Sequence, residues 1–172
     1  MVKLSILLIA IVLLVGCTSK KQEDLMQAYN EKIKYHKLLQ KTEKTQLYQD
    51  HETKVMLTAT YLYTQNFEKN DTRDEVFIVG LHVNNESYGN LNSSEYKLTL
   101  NGQVPKEIET LQLNDERLKD LSFVTDWASY YLVTFPHVPS KKITLVFESE
   151  LYGKGILHFA KVAKYVLNKE VF

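Results

Sequence analysis

The alternation of apolar and polar side chains along most of the chain limits what it can fold into more than any other feature. From Thr53 onward the side chains alternate in character with a period of two. The first such segment carries on one face Val55, Leu57, Ala59, Tyr61 and Tyr63. β-Branched and aromatic residues with this period are typical of half-buried strands. The pattern therefore predicts a mainly β chain.

Turn-forming residues separate the apolar segments roughly every ten residues, which is the spacing of short antiparallel strands. The seven predicted strands begin near Thr53, Glu75, Glu95, Gln103, Ser129, Lys142 and Ile156. This number of strands predicts an antiparallel β-sandwich in a domain over 53–172. In architecture it resembles the immunoglobulin-like domains of small bacterial envelope lipoproteins. A small up-and-down barrel is the alternative.

Three local signals predict how some strands are placed. The nearly continuous apolar run Val76–Val79 predicts a central strand that is buried on both faces. Asn101-Gly102 predicts a tight type I′ turn after the third strand. Pro105 lacks a backbone donor, so the return strand should be an edge strand or begin after this proline.

The segment before the strands predicts one helix over residues 25–48. It has no Gly or Pro and is rich in Leu, Lys, Gln and Glu, which are good helix formers. Residues 17–24 are polar and without periodicity, and we expect them to form a tether.

The N-terminus predicts an export signal. Lys3 precedes an apolar segment, Leu4–Val15, that is interrupted only by Ser5. As a helix this segment would span roughly 18 Å, well short of the ~30 Å hydrocarbon core of a bilayer. The segment Leu4–Val15 is therefore predicted to be the apolar part of a signal peptide over residues 1–16.

The end of this signal resembles the lipobox of bacterial lipoproteins, in the sequence Leu14-Val15-Gly16-Cys17. The resemblance implies cleavage before Cys17, the one cysteine of the chain, and attachment of diacylglycerol and a further acyl chain to it. Two or three acyl chains would hold the protein stably on a membrane. An aspartate directly after the lipobox cysteine resembles an inner-membrane retention signal. Thr18 occupies that position here, so the periplasmic face of the outer membrane is favoured.

Charge and motifs exclude several classes of function. The chain has 21 Lys+Arg against 21 Asp+Glu in 172 residues, which does not fit a nucleic-acid binder. His51-Glu52 has Val55 where a zinc protease needs its second histidine. Ser94 and Lys97 match a Ser-x-x-Lys motif but open a predicted strand, where their side chains would face opposite ways. We expect no enzyme activity and no cofactor.

The segment 126–131 predicts the most exposed aromatic patch, because it lies at a loop–strand junction. Its aromatic residues are Trp127, Tyr130 and Tyr131. Such side chains can anchor a protein partner or stack on a sugar ring. The alternative is that the Trp belongs to the core.

Three further sets of residues are candidates for sites. Asp71, Asp74 and Glu75 supply carboxylates of the kind that bind Ca²⁺. His82 and His158 lie in predicted strands that a sheet could bring together. Asn70, with Glu68 two residues before it and Thr72 two after it, resembles the sequon of bacterial periplasmic N-glycosylation.

The sequence thus favours a membrane-anchored envelope lipoprotein with a structural or assembly role, whose partner is another envelope component. Two alternatives remain. One is a glycan or small-ligand binding module that uses the aromatic patch. The other is a hydrolase with a site assembled across strands.

Overall fold

The computed structural model describes residues 20–65, 71–84 and 89–161. These residues contain one α-helix, one short 3-10 helix and eight strands. The helix, α1, is Lys20–Leu39, and a short 3-10 helix at Glu116–Leu118 lies between the fifth and sixth strands. The strands are β1 Thr42–Gln49, β2 Glu52–Tyr61, β3 Glu75–Val83, β4 Tyr96–Leu100, β5 Glu107–Leu111, β6 Ser129–Phe135, β7 Lys142–Ser149 and β8 Gly153–Ala160.

The strands form two antiparallel sheets. Sheet A has the order β1-β2-β3-β6-β5, and sheet B has the order β4-β7-β8. This confirms the predicted antiparallel β-sandwich after one helix, with eight strands in the described residues instead of seven. Because the two sheets are separate, the alternative of a closed barrel is wrong. The finer, immunoglobulin-like assignment stays a prediction.

The main core lies between the inner faces of the two sheets. Side chains alternate along each strand, so every second residue points into this layer. The ring of Phe77 is central, with its centroid 4.7 Å from that of Tyr61 and 5.2 Å from that of Phe159. Burial of this apolar surface, worth about 25 cal/mol per Å², is the main source of folding free energy.

A second buried cluster covers the outer face of sheet A. It comprises Ile78, Leu111, Leu118, Leu121 and Tyr130. Leu38, in the last turn of α1, packs against it, as do residues of the segment 119–128. Strand β3 is therefore buried on both faces, which confirms the prediction from its continuous apolar run.

The segment 42–49 is strand β1, so the predicted helix over 25–48 is wrong at its C-terminal end. β1 pairs with β2 along its length, from Thr42 opposite Thr60 to Gln49 opposite Glu52. Local helix propensity misled the prediction, whereas cross-strand pairing and the burial of Leu47 decide the fold. The sandwich accordingly begins near residue 42 and not at 53.

The turn between β1 and β2 lacks the usual sequence signal. Asp50 has φ 51° and His51 has φ 67°, so both adopt the left-handed conformation that a two-residue hairpin turn needs. Glycine or asparagine normally marks such a turn. Without either residue, the hairpin could not be recognised from sequence.

α1 also begins earlier than predicted. Residues 20–24, assigned to the tether, already belong to the helix, with Glu23 in its first turn. Lys, Gln and Glu favour helix even where no apolar periodicity is present. An acidic residue near the N-terminus also stabilises the helix, because it interacts favourably with the positive end of the helix dipole.

Asn101 and Gly102 form the predicted tight turn, with φ 47° and φ 84°. The return is short, since Gln103 makes one bridge to Leu100 before the chain leaves sheet B. β5 begins at Glu107, beyond Pro105, and is an edge strand of sheet A. The proline prediction is confirmed, but β4 and β5 are not a hairpin, because they belong to different sheets.

The chain divides by its internal contacts into two units, residues 1–34 and residues 35–172. The first contains most of α1, and the second contains the last turn of α1 and both sheets. Within residues 20–65, 71–84 and 89–161, no helix combines the length and the hydrophobicity that a membrane crossing requires.

Candidate functional site

A groove on the outer face of sheet A is the candidate site. Its volume is about 210 Å³. The lining residues are Lys44, Met56, Thr58, Gly80, His82, Phe123, Thr125, Trp127 and Ala128. Strands β1, β2 and β3 supply the first five, and the segment 119–128 supplies the rest. We call it the Trp127 groove.

Cross-strand pairing explains why these residues meet. Lys44 lies opposite Thr58, and Thr58 lies opposite Gly80, so one row of the sheet crosses the floor of the groove. In the next row Met56 lies opposite His82. The floor is therefore built on a regular sheet, which holds side chains more rigidly than a loop does.

The segment 119–128 forms the wall of the groove, and Gly80 determines how closely this wall approaches the sheet that forms the floor. A β-carbon at this position would lie 2.8 Å from Cε2 of Phe123 and 3.1 Å from Cε1 of Tyr130. Only a residue without a side chain allows both rings to pack directly on β3. Glycine in the middle of a strand costs roughly 0.5–1 kcal/mol relative to alanine, which here is offset by the packing of the wall.

Trp127 is the half-exposed aromatic residue of the groove, with 48% of its surface accessible. Its indole lies edge-on to the ring of His82, with the centroids 4.5 Å apart. His82 Nδ1 is 3.1 Å from the backbone oxygen of Trp127. Because a carbonyl oxygen only accepts, Nδ1 carries the hydrogen, and His82 fixes the segment that bears Trp127.

Tyr130 is buried beneath this segment and not exposed as predicted. It is 2% accessible, and its hydroxyl accepts from the backbone N–H of Thr125 at 2.6 Å and lies 3.0 Å from the Thr125 carbonyl oxygen. As the second residue of β6, it points to the outer face, where the segment 119–128 covers it. Tyr130 thus positions the wall of the groove and is not itself open to a ligand.

Tyr131 is also buried, because the next residue of a strand points to the opposite face. It is 3% accessible and belongs to the main core. Its hydroxyl donates to the carbonyl oxygen of Gly89 at 2.8 Å and accepts from the N–H of Leu91 at 3.1 Å. The predicted aromatic patch is therefore wrong for two of its three members, and only Trp127 is exposed.

The predicted acidic cluster is neutralised by cations. Asp71 pairs with Arg73 at 2.8 Å, and Asp74 pairs with Lys106 at 2.6 Å. Hydrogen bonds from Arg73 are the main reason why the pKa of Asp71 lies well below its usual range. No group of three or more His, Cys, Asp or Glu side chains arranged to hold a metal ion occurs among the described residues.

Glu75, the third acidic residue, is fully buried at one end of the sandwich. Its carboxylate accepts from the hydroxyl of Tyr61, the backbone N–H of Val138 and the ammonium of Lys161. Lys161 also donates to the carbonyl oxygen of Val138. Burial, and then the bond to Glu75, raise the pKa of Tyr61 far above its usual value. We call these four residues the Glu75 cluster, and its saturated bonding indicates a structural role.

His82 and His158 do not meet. His82 pairs opposite Met56 on the outer face of sheet A, whereas His158 lies in sheet B opposite Thr144, with its Nδ1 3.4 Å from the Thr144 hydroxyl. The two sheets and the core between them separate the rings. A site that uses both histidines is excluded by this topology.

Two predicted modification sites, Cys17 and Asn70, lie outside the described residues, as does the signal peptide over 1–16. Lipidation and glycosylation stay predictions. No protein-family model, no curated protein and no solved structure matches this chain.

Sequence reasoning singled out Trp127 but missed most of the other residues of the groove. Lys44 was assigned to a helix, and Phe123 lies in a segment without periodicity. One signal was available. Gly80 interrupts an otherwise apolar strand, and an isolated glycine there often marks a close approach of other groups.

Proposed function

We propose that this protein is a lipid-anchored, non-catalytic protein of the bacterial envelope, and that its β-sandwich binds another envelope protein through the Trp127 groove. The half-exposed Trp127, held in place by His82 on a rigid sheet, is the observation that carries this proposal. Tryptophan is among the residues that most often dominate the free energy of protein–protein binding.

The anchor is proposed from sequence. Leu14-Val15-Gly16-Cys17 resembles a lipobox, and acylation of Cys17 would keep the sandwich at the membrane surface. Thr18 after the cysteine favours the outer membrane. A protein confined to a surface meets a partner in the same membrane at high effective concentration, so a modest interface can suffice.

A second candidate function is glycan binding. An indole that is half exposed can also stack on the apolar face of a sugar ring. The size of the groove favours the protein partner, since about 210 Å³ falls below the ~300–1,000 Å³ of sites that enclose small molecules.

In-cell photo-crosslinking tests the proposed function. A photoreactive amino acid replaces Asp126, which is exposed beside Trp127, and in a matched control it replaces Ile156, which is 50% exposed on sheet B. We expect one envelope protein to crosslink from position 126 but not from 156, and to be lost when Trp127→Ala is added. Equal crosslinking from both positions, or none from position 126, would contradict a protein-binding groove.

The glycan alternative has its own measurement. Trp127 is the single tryptophan of the chain, so its fluorescence reports directly on the groove. A saturable change on addition of purified peptidoglycan fragments would favour the alternative. We expect no such change.

The anchor is tested by Cys17→Ser. We expect this variant to remain as the larger precursor and to take up no labelled fatty acid, whereas Thr18→Ser is processed normally. Processing of Cys17→Ser to the mature size with retention on the membrane would show that the lipobox assignment is wrong.

A further inference from the structure

The Trp127 groove has the dimensions of a pocket for one side chain. Its volume of about 210 Å³ is too small for a ligand of several rings, yet it opens to solvent on a broad sheet face. Pockets of this kind in protein interfaces receive a single anchor residue, around which weaker contacts exclude water.

The lining defines the chemistry of that anchor. Met56, Phe123 and Trp127 line the groove together with Ala128, so apolar surface prevails over polar surface. Met56 is flexible and polarizable, which suits contact with an aromatic ring or a branched aliphatic side chain. A charged or amide side chain would lose its hydration here without enough compensating hydrogen bonds.

The positive charge of Lys44 beside the groove determines which partner residue can lie next to the anchor. Lys44 is exposed on the edge strand β1 and lines the groove, and it forms no ion pair with any of the described residues. Its ammonium would attract a carboxylate and repel a basic residue. Asp126 is exposed nearby but does not line the groove.

We infer that the Trp127 groove binds one large apolar side chain of a protein partner, and that an acidic residue next to that side chain lies against Lys44. The inference rests on the proposed function and adds the chemistry of the partner segment.

A peptide selection tests this chemistry. The full chain, purified in detergent micelles, is used to select binders from a random peptide library displayed on phage. We expect the enriched peptides to carry Phe, Trp, Leu, Ile or Met within two residues of Asp or Glu. The same selection on Trp127→Ala should enrich none of them.

Charge reversal provides the sharper test. Lys44→Glu should shift the enriched peptides from acidic to basic flanks and weaken a wild-type-selected peptide by up to about fivefold, as for an exposed ion pair. The matched control Lys142→Glu, at an exposed lysine of sheet B, should leave both results unchanged. Trp127→Ala should weaken the same peptide by about tenfold or more, and Ile156→Ala should not weaken it.

Three outcomes would overturn the inference. They are enrichment of peptides without a large apolar residue, enrichment of basic flanks by the wild-type protein, and no enrichment over Trp127→Ala. The crosslinking experiment distinguishes a failure of this inference from a failure of the proposed function. A partner that crosslinks from position 126 through a segment without this chemistry would leave protein binding supported and the inference overturned.

Discussion

The carboxylate of Glu75 and the ammonium of Lys161 form a buried ion pair that joins the first residue of β3 to the residue after β8. The side chain of Glu75 has no accessible surface, and that of Lys161 has 9%. The pair therefore ties one edge strand of sheet B to the central strand of sheet A, across the two layers of the sandwich.

Glu75→Gln should lower the free energy of unfolding by about 3–5 kcal/mol, because it leaves the buried ammonium of Lys161 without a countercharge. The double variant Glu75→Leu/Lys161→Met should recover only part of this loss, since it removes both charges but leaves the Tyr61 hydroxyl and the Val138 N–H without their acceptor. Urea unfolding measures both values. Lys154→Met, which breaks the exposed Lys154–Glu148 pair, is the control and should cost less than about 1 kcal/mol. Equal losses in Glu75→Gln and the control would contradict the role of the buried pair.

The Glu75 cluster should make unfolding sensitive to alkaline pH through Tyr61. Burial and the bond to Glu75 raise the pKa of Tyr61 in the folded protein, whereas an unfolded tyrosine ionises near pH ~10. Stabilisation from this group is complete below that pH and is lost as the pH rises above it. The free energy of unfolding should therefore fall above about pH 10. Tyr61→Phe should be less stable than the wild type below about pH 10 and should lack this part of the slope, so the difference between the two should narrow as the pH rises further. An unchanged slope in the variant would argue against the prediction.

β1 and β8 approach so closely that Gly155 cannot carry a side chain. A β-carbon there would lie 2.3 Å from Oγ1 and 2.7 Å from Cγ2 of Thr45. We expect Gly155→Ala to cost about 1–3 kcal/mol of stability, as for an overpacked core position. Thr45→Ala removes both of these atoms, so the double variant should be more stable than the sum of the single changes implies. Thermal unfolding of the four proteins measures this coupling, and strict additivity would contradict the contact.

His82→Ala should loosen Trp127 without unfolding the domain. The variant loses the ring contact at 4.5 Å and the hydrogen bond to the backbone oxygen of Trp127. We expect the tryptophan emission to shift to longer wavelength and acrylamide quenching to increase, because the indole becomes more accessible to solvent. His158→Ala, on sheet B, should leave both signals unchanged. An unaltered emission spectrum in His82→Ala would show that His82 does not hold the indole.

Several strands can be predicted from the local pattern of apolar residues alone. The predicted starts at Ser129 and Glu75 agree with those of β6 and β3. Both have strong alternating or continuous apolar runs with clear boundaries, so local preference and tertiary burial favour the same structure.

β1 shows where local pattern fails. Its composition of Lys, Glu and Gln favours helix, and its turn at Asp50-His51 carries no glycine. Only pairing with β2 and the burial of Leu47 make it a strand. Tyr130 and Tyr131 illustrate the same limit for the site, since adjacent strand residues face opposite ways and both faces of sheet A are covered.

The order of residues thus specifies the period-two alternation, the tight turn at Asn101-Gly102 and the central position of β3, because each depends on neighbours along the chain. The tertiary structure decides which sheet each strand joins, that Glu75 and Lys161 pair across 86 positions, and that Lys44, Met56 and Trp127 share one groove. These contacts join distant segments, and their free energy comes from burial and pairing that exist only once both sheets have formed.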